Sequence, residues 1–273
     1  MPEIYIEENG YYSIDCTAAV WSTNCIHDYY QDAGHKYGEI GFLKDTDFVI
    51  ESDKAIERFG KCYESVCKHS NQKIILLNDQ NLADYIRLPD YIEKKKDTGQ
   101  IPIARYANLI EFALLEHYGG TWIDSTVYLT DPIPDMILNS DFFAVRNSLL
   151  LIDNPVLYPA WFLHAKKENN TIREIRNVAF AYWLKNEHVI EYLLPNLIIT
   201  LVVKSNSEVE QAIPYMNSDY SEYLVKVLAD DYSEEKWNWI KKLTGIHKLT
   251  YKLETAINRK DSFYQHIIAE KNK

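Results

Sequence analysis

An apolar segment that runs directly into two adjacent glycines places the strongest constraint on how this chain folds. Apolar residues cover most of the helical circumference of residues 103–118, which predicts a largely buried helix. Gly119 and Gly120 follow, and they let the backbone turn sharply and let a neighbour approach closely. The order of helix, glycine pair and apolar strand is typical of a chain that returns into a sheet.

A strand is predicted from these glycines to residue 129, because Pro132 and Pro134 follow and proline cannot donate to a ladder. Side chains alternate along a strand, so Asp124 and Thr126 are expected on the same face as Trp122. A carboxylate on a strand that glycines introduce is a common way to hold a divalent cation.

A polar stripe interrupts the apolar helix, since Arg105, Asn108 and Glu111 recur every three residues and share one side. Buried polar groups need partners. Two interpretations are open. Either an internal salt bridge joins Arg105 to Glu111 or to nearby groups, or the stripe lines a ligand cleft.

The remaining pattern alternates strands and helices, which predicts an α/β fold in a single domain over residues 1–273, with a helical C-terminal subdomain. Thr171 and Glu174 fit a capping box, and a buried helix broken at Pro195 is predicted within 189–203. The other predicted helices are 53–68, 82–86, 91–96, 158–167, 171–186 and 233–242, and the other predicted strands are 48–50, 73–77 and 141–145, with 149–152 as a candidate neighbour of the last.

Composition narrows the function classes. With 47% hydrophobic and 25% charged residues, the 273-residue chain is typical of a soluble globular protein. Its formal net charge of -11 argues against non-specific nucleic-acid binding, which needs a basic surface. We predict no secretory signal and no bilayer-spanning segment, so a cytoplasmic location with reduced cysteines is expected.

Three residues near the end of the chain are candidates for the same site. His247 is a candidate metal ligand, and Lys248 and Lys252 are candidates for neutralising phosphates. Alone, a histidine is more often structural and such lysines are usually solvated. Only a link to the Asp124 strand makes these three residues functional candidates.

Residues 103–126, together with the tail at 247–252, resemble the capsular polysaccharide synthesis glycosyltransferases, which are similar to the wider group of DXD-motif sugar-transferases. The spacing from Phe142 to Trp183 supports the resemblance, which covers roughly residues 50–255. The glycine-pair strand and the tail motif are moderately specific together, and either alone would be weak.

The resemblance implies a GT-A-like mixed sheet flanked by helices, with a nucleotide-sugar-binding core at about 42–150. It places a helical acceptor-side region and the C-terminal metal and phosphate motif at about 151–255. The implied activity is retaining transfer from a nucleotide-sugar, most often a UDP-sugar, to a capsular or other surface glycan or a lipid-linked oligosaccharide. Peripheral association with the inner face of the membrane would follow from a lipid-linked acceptor.

The resemblance also implies residue roles. Mn²⁺ or Mg²⁺ would be held by Asp124 and His247 and would bridge the diphosphate. The residues implied in catalysis are Asp124, Asn108 and Arg105, and those implied in donor binding are Asn108, Gly120, Trp122, Thr126, Lys248 and Lys252.

The chain departs from the family pattern at two places. Thr126 stands where the motif has its second acid, and Asn108 and Glu111 stand where the family helix carries an aspartate and then an arginine. These replacements motivate a second hypothesis, a catalytically inactive homologue that binds a saccharide or a partner protein. Hydrolysis of the nucleotide-sugar, with water as acceptor, is a third.

Overall fold

The structure is a computed structural model of the chain. It describes the backbone of residues 4–6, 12–14, 40–43, 46–50, 53–70, 72–77, 81–148, 155–250, 256 and 259–269, with side chains from residue 60 onward, Leu76 excepted. The chain divides into two compact units, Met1–Tyr37 and Gly38–Lys273. The first contains an antiparallel pair of strands, β1 (Ile4–Ile6) and β2 (Tyr12–Ile14).

The second unit is built on a six-stranded mixed sheet, which confirms the predicted α/β class. The described strands of this unit, in chain order, are β3 (Ile40–Leu43), β4 (Thr46–Ile50), β5 (Ile74–Leu77), β6 (Gly120–Ile123), β7 (Val127–Leu129), β8 (Phe142–Ala144), β9 (Phe162–Ala165) and β10 (Ile246–Lys248). The sheet has the order β5-β4-β3-β6-β9-β8, and β7 and β10 form a separate antiparallel pair. Within the six-stranded sheet, β4 and β5 run parallel and the other neighbours run antiparallel.

The helices of this unit follow the predicted pattern in several places. They are α1 (Asp53–His69), α2 (Leu82–Tyr85), α3 (Asp90–Asp97), α4 (Ile103–Tyr118), α5 (Asp135–Leu138), α6 (Asn170–Lys185), α7 (Leu194–Ser205), α8 (Ser207–Ala212), α9 (Ser218–Ser221), α10 (Tyr223–Val227), α11 (Glu234–Leu243) and α12 (Phe263–Ala269). The predicted helices at 53–68, 103–118 and 233–242 are confirmed. Ser233 caps α11 by accepting a hydrogen bond from the Lys236 amide, at 3.1 Å.

The end of α4 explains the first glycine of the pair. Gly119 has a φ of +74°, which favours glycine. A Cβ on Gly119 would also lie 2.4 Å from the backbone nitrogen of Lys167. The neighbour that approaches Gly119 closely is therefore the chain's own backbone.

The predicted continuous strand from the glycines to residue 129 is wrong. β6 ends at Ile123, residues 125 and 126 form a turn, and β7 begins at Val127 in a different sheet. The turn is closed by a hydrogen bond from the Val127 amide to the Asp124 carbonyl, at 2.9 Å. Asp124 therefore lies where the chain leaves the large sheet, and the alternation stops there.

The predicted helix at 158–167 is also wrong, because β9 lies inside it. Antiparallel pairing joins β9 to β6 on one side and to β8 on the other, so this run of apolar residues is an interior strand of the sheet. The predicted strand at 141–145 is confirmed as β8. Its candidate neighbour at 149–152 lies outside the described residues.

Two predicted helix boundaries need correction. Asn169 caps α6 by accepting a hydrogen bond from the Ile172 amide at 3.1 Å, instead of the predicted capping box of Thr171 and Glu174. Pro195 lies in the first turn of α7, where its missing N–H costs nothing, and does not break a longer helix.

The small β7–β10 sheet separates two apolar clusters. Val127 and Leu129 pack into one cluster with Ile123 and Phe162 of the large sheet. Tyr128, between them in β7, packs into the other cluster, which α11 and α12 complete. Alternation along β7 thus gives this strand two buried faces. Among the described residues, no helix has the length and apolar character needed to cross a membrane.

Candidate functional site

The candidate site is built at the turn between β6 and β7. Asp124 follows the last residue of β6, and its amide donates to the Trp161 carbonyl at 3.0 Å. This bond fixes the backbone of the acid against the strand that follows Trp161. The Asp124 side chain is 19% exposed, so its carboxylate reaches solvent at the end of β6, an interior strand of the large sheet.

Lys248 joins this turn from the far end of the chain. β10 pairs with β7 so that Lys248 lies opposite Val127. The Lys248 Nζ atom donates to Asp124 Oδ2 at 2.5 Å and to Thr126 Oγ1 at 2.7 Å. The structure therefore brings together three of the predicted site residues, and the lysine ammonium lies between the two motif side chains.

His247 points the other way. Successive side chains of a strand alternate, and His247 lies opposite Tyr128 in the second apolar cluster. It is 0% exposed, and its Nε2 atom lies 3.0 Å from Thr130 Oγ1. Burial lowers the pKa of His247 from 6.5 to about 4, so the imidazole is neutral near pH 7. The structure does not bring His247 to Asp124.

The described residues do not fit the predicted Mn²⁺ or Mg²⁺ site. Among the described residues, the carboxylate that bonds at this turn is that of Asp124, and it already binds the ammonium of Lys248. A divalent cation there would place two cations on one carboxylate, while the second predicted ligand, His247, faces the core. No group of three or more histidine, cysteine, aspartate or glutamate side chains in the described part of the chain is arranged to hold a metal.

The polar stripe of α4 forms a chain of hydrogen bonds along the helix. Arg105 donates to Asn108 Oδ1 at 3.1 Å, and Asn108 Nδ2 donates to Glu111 Oε2 at 3.0 Å. Glu111 is 0% exposed and Asn108 is 6% exposed. The predicted direct contact of Arg105 with Glu111 is replaced by a relay through Asn108. Within the described residues, neither Arg105 nor Asn108 hydrogen-bonds the Asp124 turn.

Arg105 has one further contact that bears on a ligand cleft. Its guanidinium lies over the ring of Tyr192, with 4.4 Å from Cζ to the ring centroid. Cation–π contact at this distance holds the guanidinium at the surface end of the stripe. Arg105 is thus the member of the stripe nearest to solvent, and the two others are buried.

The other predicted donor contacts lie in the sheet or outside the described residues. Gly120 of β6 pairs with Ala165 of β9, and Trp122 is only 1% exposed. Both are therefore interior positions of the large sheet. Lys252 lies outside the described residues.

Two residues beside Lys248 were missed by the sequence analysis. The Trp161 ring centroid lies 5.9 Å from Lys248 Nζ, and the side chain is 7% exposed. Burial raises the pKa of Glu222, and the positive charges of Lys226 and Lys248 act against that rise. No local pattern marks either residue, because each reaches the site only through the tertiary fold.

Comparison with known proteins gives one clear family match. The family described as capsular polysaccharide synthesis protein matches residues 52–267. A search of curated proteins gave no significant match. Among solved structures, the chain is similar to one titled PaToxG Glycosyltransferase, with 13% sequence identity, a TM-score of 0.43, and coverage of 85% of this chain and 87% of that chain.

The family match spans the whole candidate site, from α1 through the Asp124 turn and β10 to α12. It confirms the resemblance that the glycine-pair segment and the tail carry. The chain therefore belongs to the capsular polysaccharide synthesis family and is a glycosyltransferase.

Proposed function

We propose that this glycosyltransferase moves a sugar from a nucleotide-sugar, with a UDP-sugar as the first candidate, to a capsular or other surface glycan. The observation that carries the proposal is the contact of Lys248 with Asp124 and Thr126 at the end of β6. It joins the two parts of the chain that resemble the family. A partly exposed ammonium beside a carboxylate suits recognition of a diphosphate and of sugar hydroxyls.

Each residue has a separate task in this proposal. Lys248 donates a charge-assisted hydrogen bond to the diphosphate and stabilises the negative charge that develops as it leaves. Asp124 orients the ammonium and accepts from a hydroxyl of the donor. Thr126 fixes the ammonium from its second side. Arg105, at the surface end of the α4 stripe, is available to a second anionic group of the donor.

The proposed reaction retains configuration at the anomeric carbon. The bond from that carbon to the diphosphate oxygen breaks, and its electron pair leaves with the diphosphate. The acceptor hydroxyl oxygen attacks from the same face and forms the new glycosidic bond, and its proton passes to a diphosphate oxygen. A product of inverted configuration, determined by NMR, would exclude this course.

The finer architecture and the setting of the enzyme are also proposals. The mixed sheet is of the GT-A type, and residues of about 151–255 form a helical region on the acceptor side. The acceptor is a growing surface glycan or a lipid-linked oligosaccharide. With the latter, the enzyme works in the cytoplasm, peripherally at the inner face of the membrane.

A screen of UDP- and GDP-sugars for release of the nucleoside diphosphate, each with and without candidate glycan acceptors, tests the proposed function. Asp124→Asn is expected to lower turnover by about tenfold or more, because the lysine loses its charged partner. Asp141→Asn is the matched control, since Asp141 pairs with Lys166 at the surface and its side chain is 77% exposed. Equal activity in both variants would contradict the role of Asp124.

The inactive homologue is the second candidate, and one observation favours it. Glu111 stands at the family's arginine position, is fully buried and accepts from Asn108. It therefore offers no positive charge to a phosphate. Absence of nucleotide binding together with binding of a surface glycan would establish this candidate. Turnover that acceptors do not accelerate would indicate hydrolysis instead.

A further inference from the structure

We propose that Lys248 supplies the positive charge that holds the donor diphosphate, so that donor binding does not require a divalent metal ion. The inference rests on the proposed function, because it concerns the same site. It starts from the position of the Lys248 ammonium, which lies between Asp124 and Thr126 and binds Asp124, the acid that the family resemblance assigns to a metal.

The first argument is the hydrogen-bonding capacity of the ammonium. A lysine ammonium has three N–H donors and no acceptor. Asp124 and Thr126 accept two of them, at 2.5 and 2.7 Å. The third has no acceptor among the described residues, and the side chain is 23% exposed. One donor is thus available to a ligand oxygen at the mouth of the site.

The second argument is the charge of the motif. Thr126 replaces the second acid, so the turn carries a single carboxylate, and Lys248 neutralises it. A dication added to this pair would be repelled by the ammonium, and no second described carboxylate is bonded there to compensate. A diphosphate meets the opposite situation, because its negative charge is attracted to the ammonium.

The third argument is that the fold fixes the ammonium before any ligand binds. The Leu249 amide donates to the Thr126 carbonyl at 2.8 Å, and β7 pairs with β10 through Lys248 itself. On the opposite face, buried His247 anchors β10 to Thr130. A donor group held in this way does not have to be ordered at the moment of binding, which favours affinity.

Isothermal titration of the purified full chain with UDP and with GDP, in EDTA and in MnCl₂, tests the inference. For the wild type we expect at least one nucleotide to bind in EDTA, with an affinity within about threefold of that in Mn²⁺. Binding that is lost in EDTA by more than about tenfold and restored by Mn²⁺ would overturn the inference while leaving the proposed function standing. Failure of both nucleotides to bind in either buffer would overturn both proposals.

Two lysine variants locate the charge. Lys248→Met is expected to weaken binding in EDTA by about 10- to 100-fold, the effect of losing one hydrogen bond to a charged group. Lys241→Met removes the same charge on the other face of the β7–β10 sheet, where Lys241 lies 5.6 Å from the Trp237 ring centroid, and should leave binding unchanged. Equal affinities in EDTA for the wild type and Lys248→Met would contradict the assignment.

The wild-type comparison of EDTA with Mn²⁺ needs no variant, so it decides the matter even when Lys248→Met does not fold. Lys248→Arg provides a second check, because it keeps the charge and should retain binding in EDTA. Titration of the nucleotide-free wild type with Mn²⁺, followed by electron paramagnetic resonance, should show no bound ion. Stoichiometric Mn²⁺ binding that Asp124→Asn abolishes would argue against the inference.

Discussion

Two adjacent residues of β10 meet opposite surroundings, and that difference sets what each side chain does. Lys248 lies at the Asp124 turn and is partly exposed, whereas His247 lies in the second apolar cluster and is fully buried. A buried neutral imidazole that is close to a threonine hydroxyl is a structural group. We therefore expect replacement of His247 to change the stability of the fold and replacement of Lys248 to change ligand binding.

His247 should make stability depend on pH. Burial lowers the pKa of the folded-state imidazole from 6.5 to about 4, so the unfolded chain takes up a proton first on acidification. The contribution is complete above about pH 6.5 and is lost as the pH falls towards 4. We expect the free energy of unfolding to decrease by about 2 kcal/mol from this group between pH 7 and pH 5. Urea titrations at the two pH values measure it.

The control for this pH dependence is a second histidine. His247→Gln should lower stability at pH 7. Its free energy of unfolding should also fall less between pH 7 and pH 5 than that of the wild type, because His247 no longer contributes. His188→Gln changes an exposed histidine in the loop after α6 and should keep the wild-type slope. A decrease of equal size in all three proteins would show that His247 does not titrate in this range.

The polar pair on α4 is held together by its own hydrogen bond. Asn108 donates to Glu111, so these two buried side chains satisfy each other within the helix. Changing either residue alone would remove this hydrogen bond from the buried polar group that remains, which costs stability. The two residues therefore act as one structural unit.

At the scale of elements, the junction of α4 with β6 decides where the site lies. α4 is buried along most of its length, and it ends at a glycine that turns the chain into the middle of the large sheet. β6 then carries Asp124 out at its end. The position of the acid relative to the sheet depends on this turn.

Replacement of Gly119 by alanine should be strongly destabilising. An added Cβ would lie 2.4 Å from the Lys167 nitrogen, and φ is +74°. The backbone around Lys167 is held on both sides, because the Lys166 amide donates to the Asp141 carbonyl and the Glu168 amide to the Glu116 carbonyl, each at 2.9 Å. We expect a loss of about 3 kcal/mol or more in the free energy of unfolding, from strain and overpacking together. Urea or thermal unfolding measures the loss.

Two other glycines separate the cost of the positive φ from the cost of the contact with Lys167. Gly99 also has a positive φ, of +77°, but a Cβ there would meet nothing within 4 Å, so Gly99→Ala should cost about 1 kcal/mol. Gly60 lies within α1 with open space around it, and Gly60→Ala should stabilise by about 0.5–1 kcal/mol. A cost at Gly119 no greater than that at Gly99 would show that the contact with Lys167 relaxes.

The elements also show which features a sequence can reveal. α4 was predicted with correct bounds because its apolar pattern is long and the glycine pair marks its end. β9 was predicted as a helix, since a short apolar run fits either structure and only its place between β6 and β8 decides. β10 is three residues long and exists through pairing with β7, so no local pattern predicts it.

The same limit applies to the site. Asp124, Thr126 and Lys248 were predicted as parts of one site from the family resemblance, and the structure places them in contact. His247 was assigned to that site as a metal ligand by the same resemblance, which includes both residues of the tail. Adjacent residues in a strand face opposite sides, and the register that sets the two sides depends on β7.

At the scale of the whole molecule, the net charge of the protein and the charge of its proposed binding group have opposite signs. The chain carries a formal net charge of -11, whereas the proposed ligand-binding group is an ammonium. A nucleoside diphosphate is repelled by the protein at long range and attracted by Lys248 at contact. Salt screens the long-range repulsion more strongly than the attraction at contact, because the Debye length is about 10 Å at 0.1 M.

Nucleotide association should therefore become faster as salt is added. Between 20 and 200 mM NaCl we expect the association rate constant of a fluorescent UDP to rise by about two- to threefold, since screening weakens the repulsion. The dissociation rate constant should rise as well, because the contact between the ammonium and the phosphate is weakened. Stopped-flow fluorescence measures both rate constants. The corresponding uncharged nucleoside is the control, and its association should not respond to salt. If the association of UDP slows instead, the local field of Lys248 and its neighbours outweighs the net charge of the molecule during approach.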